Sequence, residues 1–360
     1  MLACRMARIA AVAPALPPHR YSQAEIAEAI APLISRDPSK QAVLRRLYRS
    51  SRVETRHLVL PLERYAEETT FGLSNALFVE AAVDLAAEAL TAALAASALV
   101  PSDVDYIMFT SVTGLSAMSV EGLLVARLGL RTDVKRVPMY GLGCVAGASG
   151  IARVADYLDG HPDDVGVLVS VELCSLTLQR GDDSMANMVA SALFADGAAA
   201  VVMVGDERAK RMPVTGPDVV ATRSQLYPGT EDVIGFLTTE TGFRIVLSPR
   251  VAEVIEQNLD TDVLAFLDSY GLDPGRVGTW IVHPGGPRVL EAVQQTLGLA
   301  EDALANSWRS LSAIGNLSSS SVLHILSTEL ESGGTAGEDV VLFALGPGVS
   351  AELVLMRWPR

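Results

Sequence analysis

The chain has 360 residues, of which 42 are Asp or Glu and 28 are Lys or Arg, so its formal net charge is −14. This net charge argues against nucleic-acid binding, which would need a basic face, and 49% hydrophobic residues suffice for two ordinary domains or one duplicated fold. The three cysteines, Cys4, Cys144 and Cys174, lack paired spacing. This predicts neither a disulfide framework nor a metal site, and it favours a reducing cytoplasm.

The first predicted element is a strand within residues 1–20. Two arginines precede an apolar run there, as in a signal peptide, but Pro14, Pro17 and Pro18 end the run too early. No uninterrupted apolar run along the chain approaches the ~20 residues that a membrane helix needs. We therefore predict no membrane span.

An arginine-rich stretch follows at residues 42–56. It contains Arg45, Arg46, Arg49, Arg52 and Arg56. Clustered guanidinium groups suit phosphate because each donates two hydrogen bonds at once. An amphipathic helix with a solvated basic face has the same pattern.

Apolar runs of strand length then alternate with helix-length stretches rich in Ala and Leu. The pattern predicts a helix over residues 78–95 and buried strands over 106–110, 165–170 and 198–204. The order repeats from about Phe243, and the Pro-, Gly- and charge-rich segment 205–241 is predicted to be the loop between the halves. These patterns indicate an α/β fold with two halves, residues 1–215 and 216–360.

Cys144 follows the glycine-rich turn at residues 141–143, between a predicted strand (136–140) and a predicted helix (148–158). At a helix N-terminus, the macrodipole and the free N–H groups favour thiolate over thiol, which suits a nucleophile. A small buried cysteine packed in the turn is the alternative interpretation.

A nucleophilic cysteine needs a polar partner that is distant in sequence and close in space. His283 ends the apolar strand 279–282 before a Pro-Gly-Gly-Pro turn, and Asn316 precedes a second predicted helix over 322–330. Both positions are typical of the functional edge of an α/β sheet. The other four histidines fall in loops or inside a helical pattern, where packing or surface roles are expected.

With these residues, the chain resembles type III polyketide synthases of the chalcone synthase superfamily, and most closely the bacterial alkylpyrone synthases. Six segments carry the resemblance in the family's order: residues 16–23, 134–150, 191–198, 283–287, 315–319 and 346–348. The resemblance implies an α/β, thiolase-like five-layered αβαβα fold built from two similar halves. It also implies a homodimer without a cofactor, since acyl-CoA and malonyl-CoA are the substrates.

The resemblance assigns the catalytic roles to three residues. Cys144 carries the acyl chain as a thioester, held as a thiolate by a nearby His283 imidazolium. His283 and Asn316 donate hydrogen bonds to the thioester oxygen as malonyl-CoA loses CO2, which is an oxyanion-hole role.

The same comparison with the family indicates a substrate pocket. Its expected lining is Phe194, Ile245, Thr177, Cys174, Ala117 and Ser318. Phe194 corresponds to an aromatic gatekeeper, although a core phenylalanine is the alternative, and Ile245 is aliphatic where a second ring is usual. Cys174 is interpreted as an inert packed thiol. Because this lining is small and apolar, we expect a medium or long aliphatic starter, each buried CH2 contributing roughly 0.8 kcal/mol.

Contacts to CoA are expected from Arg46, Arg49, Gly285 and Gly286, although Ser50 stands where the family has a lysine. The expected product is an alkyl-α-pyrone, with an alkylresorcinol or a malonyl-CoA-primed aromatic polyketide as alternatives. A ketoacyl synthase III-like condensing enzyme and a chain-length-factor-like partner subunit without activity also remain open. A degradative thiolase is disfavoured because residues 346–350 contain no second cysteine.

Overall fold

The computed structural model describes residues 7–67 and 69–360. Cys4 and the start of the first predicted strand therefore lie outside the described residues. In chain order, the described helices are α1 (Gln23–Ile34), α2 (Pro38–Ser50), α3 (Phe71–Ala96), α4 (Val120–Leu128), α5 (Ala146–Gly160), α6 (Met185–Leu193), α7 (Asp206–Ala209), α8 (Val251–Asp268), α9 (Pro287–Thr296), α10 (Ala305–Ile314) and α11 (Ser321–Ser332).

The described strands are β1 (Arg8–Ala15), β2 (His19–Ser22), β3 (Thr55–Leu58), β4 (Tyr106–Thr110), β5 (Lys135–Met139), β6 (Val165–Leu173), β7 (Asp196–Val204), β8 (Asp218–Leu226), β9 (Ile234–Thr239), β10 (Gly242–Leu247), β11 (Thr279–Val282), β12 (Asp339–Gly346) and β13 (Ser350–Arg357). The strands predicted over 106–110, 165–170 and 198–204 are confirmed as β4, β6 and β7.

Nine strands form one sheet in the order β11-β12-β13-β8-β1-β7-β6-β4-β5. In the first half, β4 runs parallel to β5 and β6, and β7 is antiparallel to both β6 and β1. The second half repeats this with β11 parallel to β12, and β13 antiparallel to both β12 and β8. The halves join where Arg8 pairs with Asp218, whose carboxylate accepts from the Arg8 guanidinium at 2.7 and 3.0 Å.

Alternation along the buried strands places helices on both faces of each half. Val167 and Val169 of β6 pack in the core that α3 and α4 cover, whereas Leu168 faces the core around α5 and α11. The second half packs its outer face against α8, α9 and α10. Helices α5 and α11 thus lie between the two halves, and the predicted five layers are confirmed.

A satellite cluster of α1, α2 and α6 packs beside these layers. Helix α1 begins with a capping box, in which Ser22 and Glu25 exchange hydrogen bonds between side chain and backbone. Helix α2 begins at Pro38, where the missing N–H costs nothing, after the Asp37 cap.

One prediction about the organisation was wrong. Segment 205–241 was expected to be a loop, but it contains α7, β8 and β9, and the second half begins at β8 and not near Phe243. Strand β8 lacks a continuous apolar run, and it forms because it pairs with β13 along most of its length. Tertiary pairing therefore decides this strand, and the local composition does not.

Candidate active site

Cys144 lies in a short 3-10 turn, Gly143–Val145, between β5 and α5. The chain reaches it through Gly141 and Gly143, whose φ values are +94° and +54°. A Cβ on Gly143 would lie 2.7 Å from Cδ of Pro347, in the turn between β12 and β13. Glycine is therefore required here for both its conformation and its size, and Cys144 faces a turn of the second half.

The Cys144 thiol contacts one side chain of the second half. Its Sγ lies 3.5 Å from Oγ of Ser318, with the thiol as donor. Ser318 begins the 3-10 turn before α11 at a φ of +50°, which is strained for a residue with a Cβ. Strain of this kind persists only where surrounding contacts hold it.

His283 and Asn316 lie buried in the second half, 3% and 1% exposed. Asn316 accepts from the Ser318 backbone N–H at 2.8 Å and donates from Nδ2 to the Gly285 carbonyl oxygen at 3.2 Å. The Cδ2–Nε2 edge of the His283 ring packs against Gly285, where an added Cβ would lie 3.5 Å from Cδ2 and 3.6 Å from Nε2. A continuous set of contacts thus runs from Cys144 through Ser318, Asn316 and Gly285 to His283.

Burial acts on Cys144 and His283 in the direction opposite to the expected thiolate and imidazolium. Burial raises the pKa of the Cys144 thiol to about 12, with Glu172 adding to the shift and the bond to Ser318 opposing it. Burial lowers the pKa of His283 to about 3. Burial thus favours the neutral form of each group. Neither ring nitrogen of His283 has a hydrogen-bond partner among the described residues.

Glu172 is a buried carboxylate that the sequence analysis missed. Its Oε2 accepts from Val112 N at 3.1 Å, Thr113 Oγ1 at 3.0 Å and Ser111 Oγ at 3.3 Å. Its Oε1 accepts from Ser318 Oγ at 3.3 Å and Ser319 Oγ at 2.5 Å. We call these residues the Glu172 cluster. The signal in the sequence was a lone acid inside the apolar strand β6, since such an acid must be hydrogen-bonded when buried.

One cavity of about 980 Å³, its open mouth included, reaches Cys144. Five of the six predicted pocket residues line it: Phe194, Ile245, Thr177, Cys174 and Ser318. Ala117 does not, because it is exposed in the segment between β4 and α4, where Val112 and Thr113 line the cavity instead. Burial raises the pKa of the Cys174 thiol well above its usual range.

The predicted arginine cluster separates into three environments. Arg46 and Arg49 are exposed on α2 without a hydrogen bond or ion pair to any described residue, whereas Arg45 pairs with Glu28 at 2.7 Å. Arg52 pairs with Glu291 at 3.1 Å. Arg56 is 2% exposed and lines the cavity, so it is not part of a solvated basic face.

The four predicted CoA contacts lie on two separate segments of the chain. Gly285 and Gly286 lie after β11, where Gly286 caps α9 at a φ of +155°, while Arg46 and Arg49 lie on α2. Within the described residues, no cluster of His, Cys, Asp and Glu has the makings of a metal site. None of the described helices is long and apolar enough to cross a membrane.

A half-buried cysteine between two similar half-sheets, with His and Asn on the second half, is the arrangement of a thiolase-like condensing enzyme. The N-terminal domain of chalcone and stilbene synthases matches residues 2–207, and their C-terminal domain matches residues 218–358. The chain belongs to the chalcone and stilbene synthase family of type III polyketide synthases.

Named relatives agree with this assignment. The chain is 51% identical to a 1,3,6,8-tetrahydroxynaphthalene synthase of Streptomyces peucetius subsp. caesius, over 97% of this chain and 93% of the relative. It is 30% identical to the alpha-pyrone synthesis polyketide synthase-like Pks18 of Mycobacterium tuberculosis, over 97% and 91%. The solved 1,3,6,8-tetrahydroxynaphthalene synthase of Streptomyces coelicolor superposes with a TM-score of 0.91 at 29% identity, covering 98% of this chain and 99% of that one.

Proposed function

We propose that this chain builds an aromatic polyketide from malonyl-CoA alone, used as both starter and extender. The observation that carries the proposal is the 51% identity, over nearly the whole chain, to a 1,3,6,8-tetrahydroxynaphthalene synthase. From the sequence alone, this activity is one of the alternatives to an alkyl-α-pyrone made from an aliphatic starter.

In the proposed loading step, Sγ of Cys144 attacks the thioester carbon of acyl-CoA. Because burial favours the neutral thiol and the neutral imidazole, the thiol proton leaves during the attack and His283 is the base that takes it. The C–S bond to CoA breaks, and the CoA thiol leaves with that proton. Cys144 then holds the acyl group as a thioester.

In the proposed extension step, malonyl-CoA loses CO2 and its thioester oxygen becomes an enolate oxygen. His283 Nε2 and Asn316 Nδ2 are the donors for that charge. Buried donors are effective there because water does not compete for the oxyanion. The enolate carbon attacks the Cys144 thioester, the C–S bond to Cys144 breaks, and the lengthened chain leaves on CoA for the next cycle.

A second candidate is an alkyl-α-pyrone synthase that takes a medium or long aliphatic acyl-CoA starter. The observation that favours it is the apolar lining of the cavity, to which Ile26, Ile30 and Ile245 contribute aliphatic side chains. Each buried CH2 of a starter would contribute roughly 0.8 kcal/mol until the cavity is full.

One assay separates the two candidates. Purified protein is incubated with malonyl-CoA alone, and with malonyl-CoA plus acetyl-, hexanoyl-, lauroyl- or benzoyl-CoA, and the products are identified by mass. An aromatic product from malonyl-CoA alone, undiminished by the other esters, supports the first proposal. Products that carry the alkyl chain, formed faster with longer starters, support the second and contradict the first.

The matched control is Cys144→Ala. It should still release CO2 from malonyl-CoA, because His283 and Asn316 remain, but it should load no acyl group and make no polyketide. Polyketide formation by Cys144→Ala contradicts both candidates, since each requires the cysteine thioester.

The proposal extends to assembly and organisation. We infer a homodimer of about twice the 38.0 kDa chain mass, working in the cytoplasm with CoA esters and without a cofactor. Light scattering that finds only monomer at micromolar concentration contradicts the dimer. The proposed halves, 1–215 and 216–360, are supported by the repeated strand order and by the start of β8 at Asp218.

A further inference from the structure

The inner, buried part of the cavity lies among α1, α2, α6 and β3. Its wall is largely aliphatic, with Ile26, Ile30 and Leu58, but Tyr48 and Arg56 also line it. The side chains of Tyr48 and Arg56 are 1% and 2% exposed. A phenol and a guanidinium therefore lie in a buried wall to which α6 adds the polar side chains of Asn187 and Ser191.

The Arg56 guanidinium donates three hydrogen bonds, but one of its nitrogens has no partner among the described residues. Its Nε donates to Oε1 of Gln23 at 3.0 Å, and its Nη1 donates to the carbonyl oxygens of Ser191 and Phe194, both at 2.7 Å. Its stem packs against Gly315, where an added Cβ would lie 3.0 Å from Cγ of Arg56. Nη2 is buried and has no partner among the described residues.

Tyr48 lies beside Arg56 and also carries a buried polar group without a partner among the described residues. The Arg56 guanidinium carbon lies 5.2 Å from the centre of the Tyr48 ring, and the Tyr48 hydroxyl is buried without a partner among the described residues. Tyr65, which lines the same cavity, differs because its hydroxyl bonds to Ser175 Oγ at 2.6 Å and accepts from Leu60 N at 3.3 Å. The free hydroxyl is thus specific to Tyr48.

No carboxylate neutralises Arg56 directly. No salt bridge to it is formed by any described acid. Asp196 lies within electrostatic reach, but its oxygens accept from Val59 N, Ser175 N and Ser175 Oγ. A buried cation without a counter-ion and a buried hydroxyl without an acceptor are both unfavourable in the free protein. An acceptor oxygen supplied by a ligand would satisfy both groups.

We propose that Arg56 Nη2 and the Tyr48 hydroxyl together bind a carbonyl or carboxylate oxygen at the far end of an acyl chain whose thioester end is on Cys144. The inference rests on the proposed function, because that function places the acyl chain on Cys144. The two donors select an oxygenated chain, such as a growing poly-β-ketone, over an alkyl chain of equal size. Tyr48 and Arg56 are therefore specificity-determining residues of the inner cavity.

The test measures the loading of Cys144 and does not depend on product formation. Wild type and Tyr48→Phe are mixed with pairs of acyl-CoA esters of equal length, one ending in a methyl ketone and the other in an isopropyl group. Intact-protein mass spectrometry gives the ratio of the two loading rates for a series of chain lengths. At the length that reaches Arg56, we expect Tyr48→Phe to reduce the preference for the ketone by about three- to tenfold, the loss of one hydrogen bond.

Thermal unfolding separates this role from a structural one. Tyr48→Phe removes an unpaired hydroxyl and keeps the ring, so the Tm should stay equal or rise. Tyr227→Phe is the matched control, because its hydroxyl donates to Oδ2 of Asp262 at 2.7 Å and Tyr227 does not line the cavity. That variant should lower the Tm and leave the loading ratio unchanged. Arg56→Lys should change both readouts, since it also loses the bonds to Ser191 and Phe194.

Two outcomes overturn different claims. Equal loading ratios in wild type and Tyr48→Phe at every chain length refute the oxygen-binding role and leave the proposed function standing. A wild-type protein that loads no acyl group onto Cys144 from any ester refutes the proposed function, and the inner binding site fails with it.

Discussion

Glu172 and His283 are both buried and ionisable, yet their hydrogen bonding is opposite. The carboxylate of Glu172 accepts five hydrogen bonds from the backbone and from hydroxyl groups. The His283 ring has no partner at either nitrogen within the described chain. The Glu172 cluster joins β6 to the segment after β4 and to the turn before α11, so it fixes the relative positions of three elements.

The difference indicates which buried polar groups support the fold and which are kept for a ligand. A buried group that is fully hydrogen-bonded loses several hydrogen bonds when it is replaced, so its substitution lowers stability. A buried group without partners loses no hydrogen bond, and its substitution should affect only the state with ligand bound. His283, Tyr48 and Arg56 Nη2 belong to the second kind. Tyr48 and Arg56 line the cavity that reaches Cys144, and His283 packs against Gly285.

The largest expected effect concerns His283, a buried group whose ring nitrogens have no hydrogen-bond partner among the described residues. His283→Gln should lower polyketide formation by about 10³-fold or more, because the site loses its base and one oxyanion donor. Its free energy of unfolding should change by less than about 1 kcal/mol, since no side-chain hydrogen bond is lost. Product yield from malonyl-CoA and chemical denaturation measure the two quantities.

His324→Gln is the control for that variant. His324 is also buried, at 8% exposure on α11, but its Nε2 lies 2.9 Å from the Ala198 carbonyl oxygen and donates to it. We expect this variant to lose about 1–2 kcal/mol of stability and little activity. Equal losses of stability in the two histidine variants would show that the number of hydrogen-bond partners does not predict which buried groups stabilise the fold.

The next prediction concerns the charge state of Cys144. With its pKa raised to about 12 by burial, the thiolate fraction should increase tenfold with each pH unit below that value. Alkylation of Cys144 by iodoacetamide should therefore accelerate about tenfold per pH unit between pH 6 and pH 9. Mass spectrometry of the Cys144 peptide distinguishes this site from Cys4 and Cys174. A rate that is already constant above pH 6 would restore the thiolate–imidazolium pair expected from the sequence.

Glu172→Gln tests the other kind of buried group, whose hydrogen-bonding atoms all have partners. A carboxamide has one acceptor oxygen where five donors converge, and its NH2 group faces donors, so we expect a loss of about 2–4 kcal/mol of stability. Glu352→Gln is the control, because this carboxyl is 6% exposed, its Oε1 accepts from Ser224 at 2.7 Å and its Oε2 has no partner among the described residues. That variant should lose less than about 1 kcal/mol, and a larger loss than in Glu172→Gln contradicts the comparison.

Much of this fold could be predicted from the sequence because its central strands are buried on both faces. Strands β4, β6 and β7 are almost continuously apolar, and glycine-rich turns mark the positions after β5 and β11. Such signals are local, so they survive without knowledge of the partners. Strand β8 was missed because its pairing with β13 is a long-range contact.

The site was predicted less completely, for the same physical reason. Cys144, His283 and Asn316 follow strands or precede helices, and their positions could be inferred from local patterns and from the resemblance. Arg56 lies in a stretch of five arginines, and nothing local distinguishes the buried one from those on the surface. Its burial depends on Gln23 and Ser191, which are distant in sequence. Charge composition therefore identified a basic segment without showing where each guanidinium lies.

The smallest expected effect concerns the exposed arginines of α2, where paired and unpaired charges occur side by side. Arg46 and Arg49 have no partner among the described residues, so their guanidinium groups are free to bind the phosphates of CoA. Replacing either by Ala should raise the KM for malonyl-CoA about three- to tenfold without changing kcat, because the contact is equal in the ground and transition states. Arg45→Ala is the control, since Arg45 already pairs with Glu28 at 2.7 and 3.0 Å. Added salt should weaken the Arg46 and Arg49 effects because exposed charges are screened over about 10 Å at 0.1 M. If Arg45→Ala instead raises the KM as much as Arg46→Ala and Arg49→Ala do, CoA binding depends on the net charge of α2. The lack of an ion-pair partner would then not identify the residues that bind the phosphates.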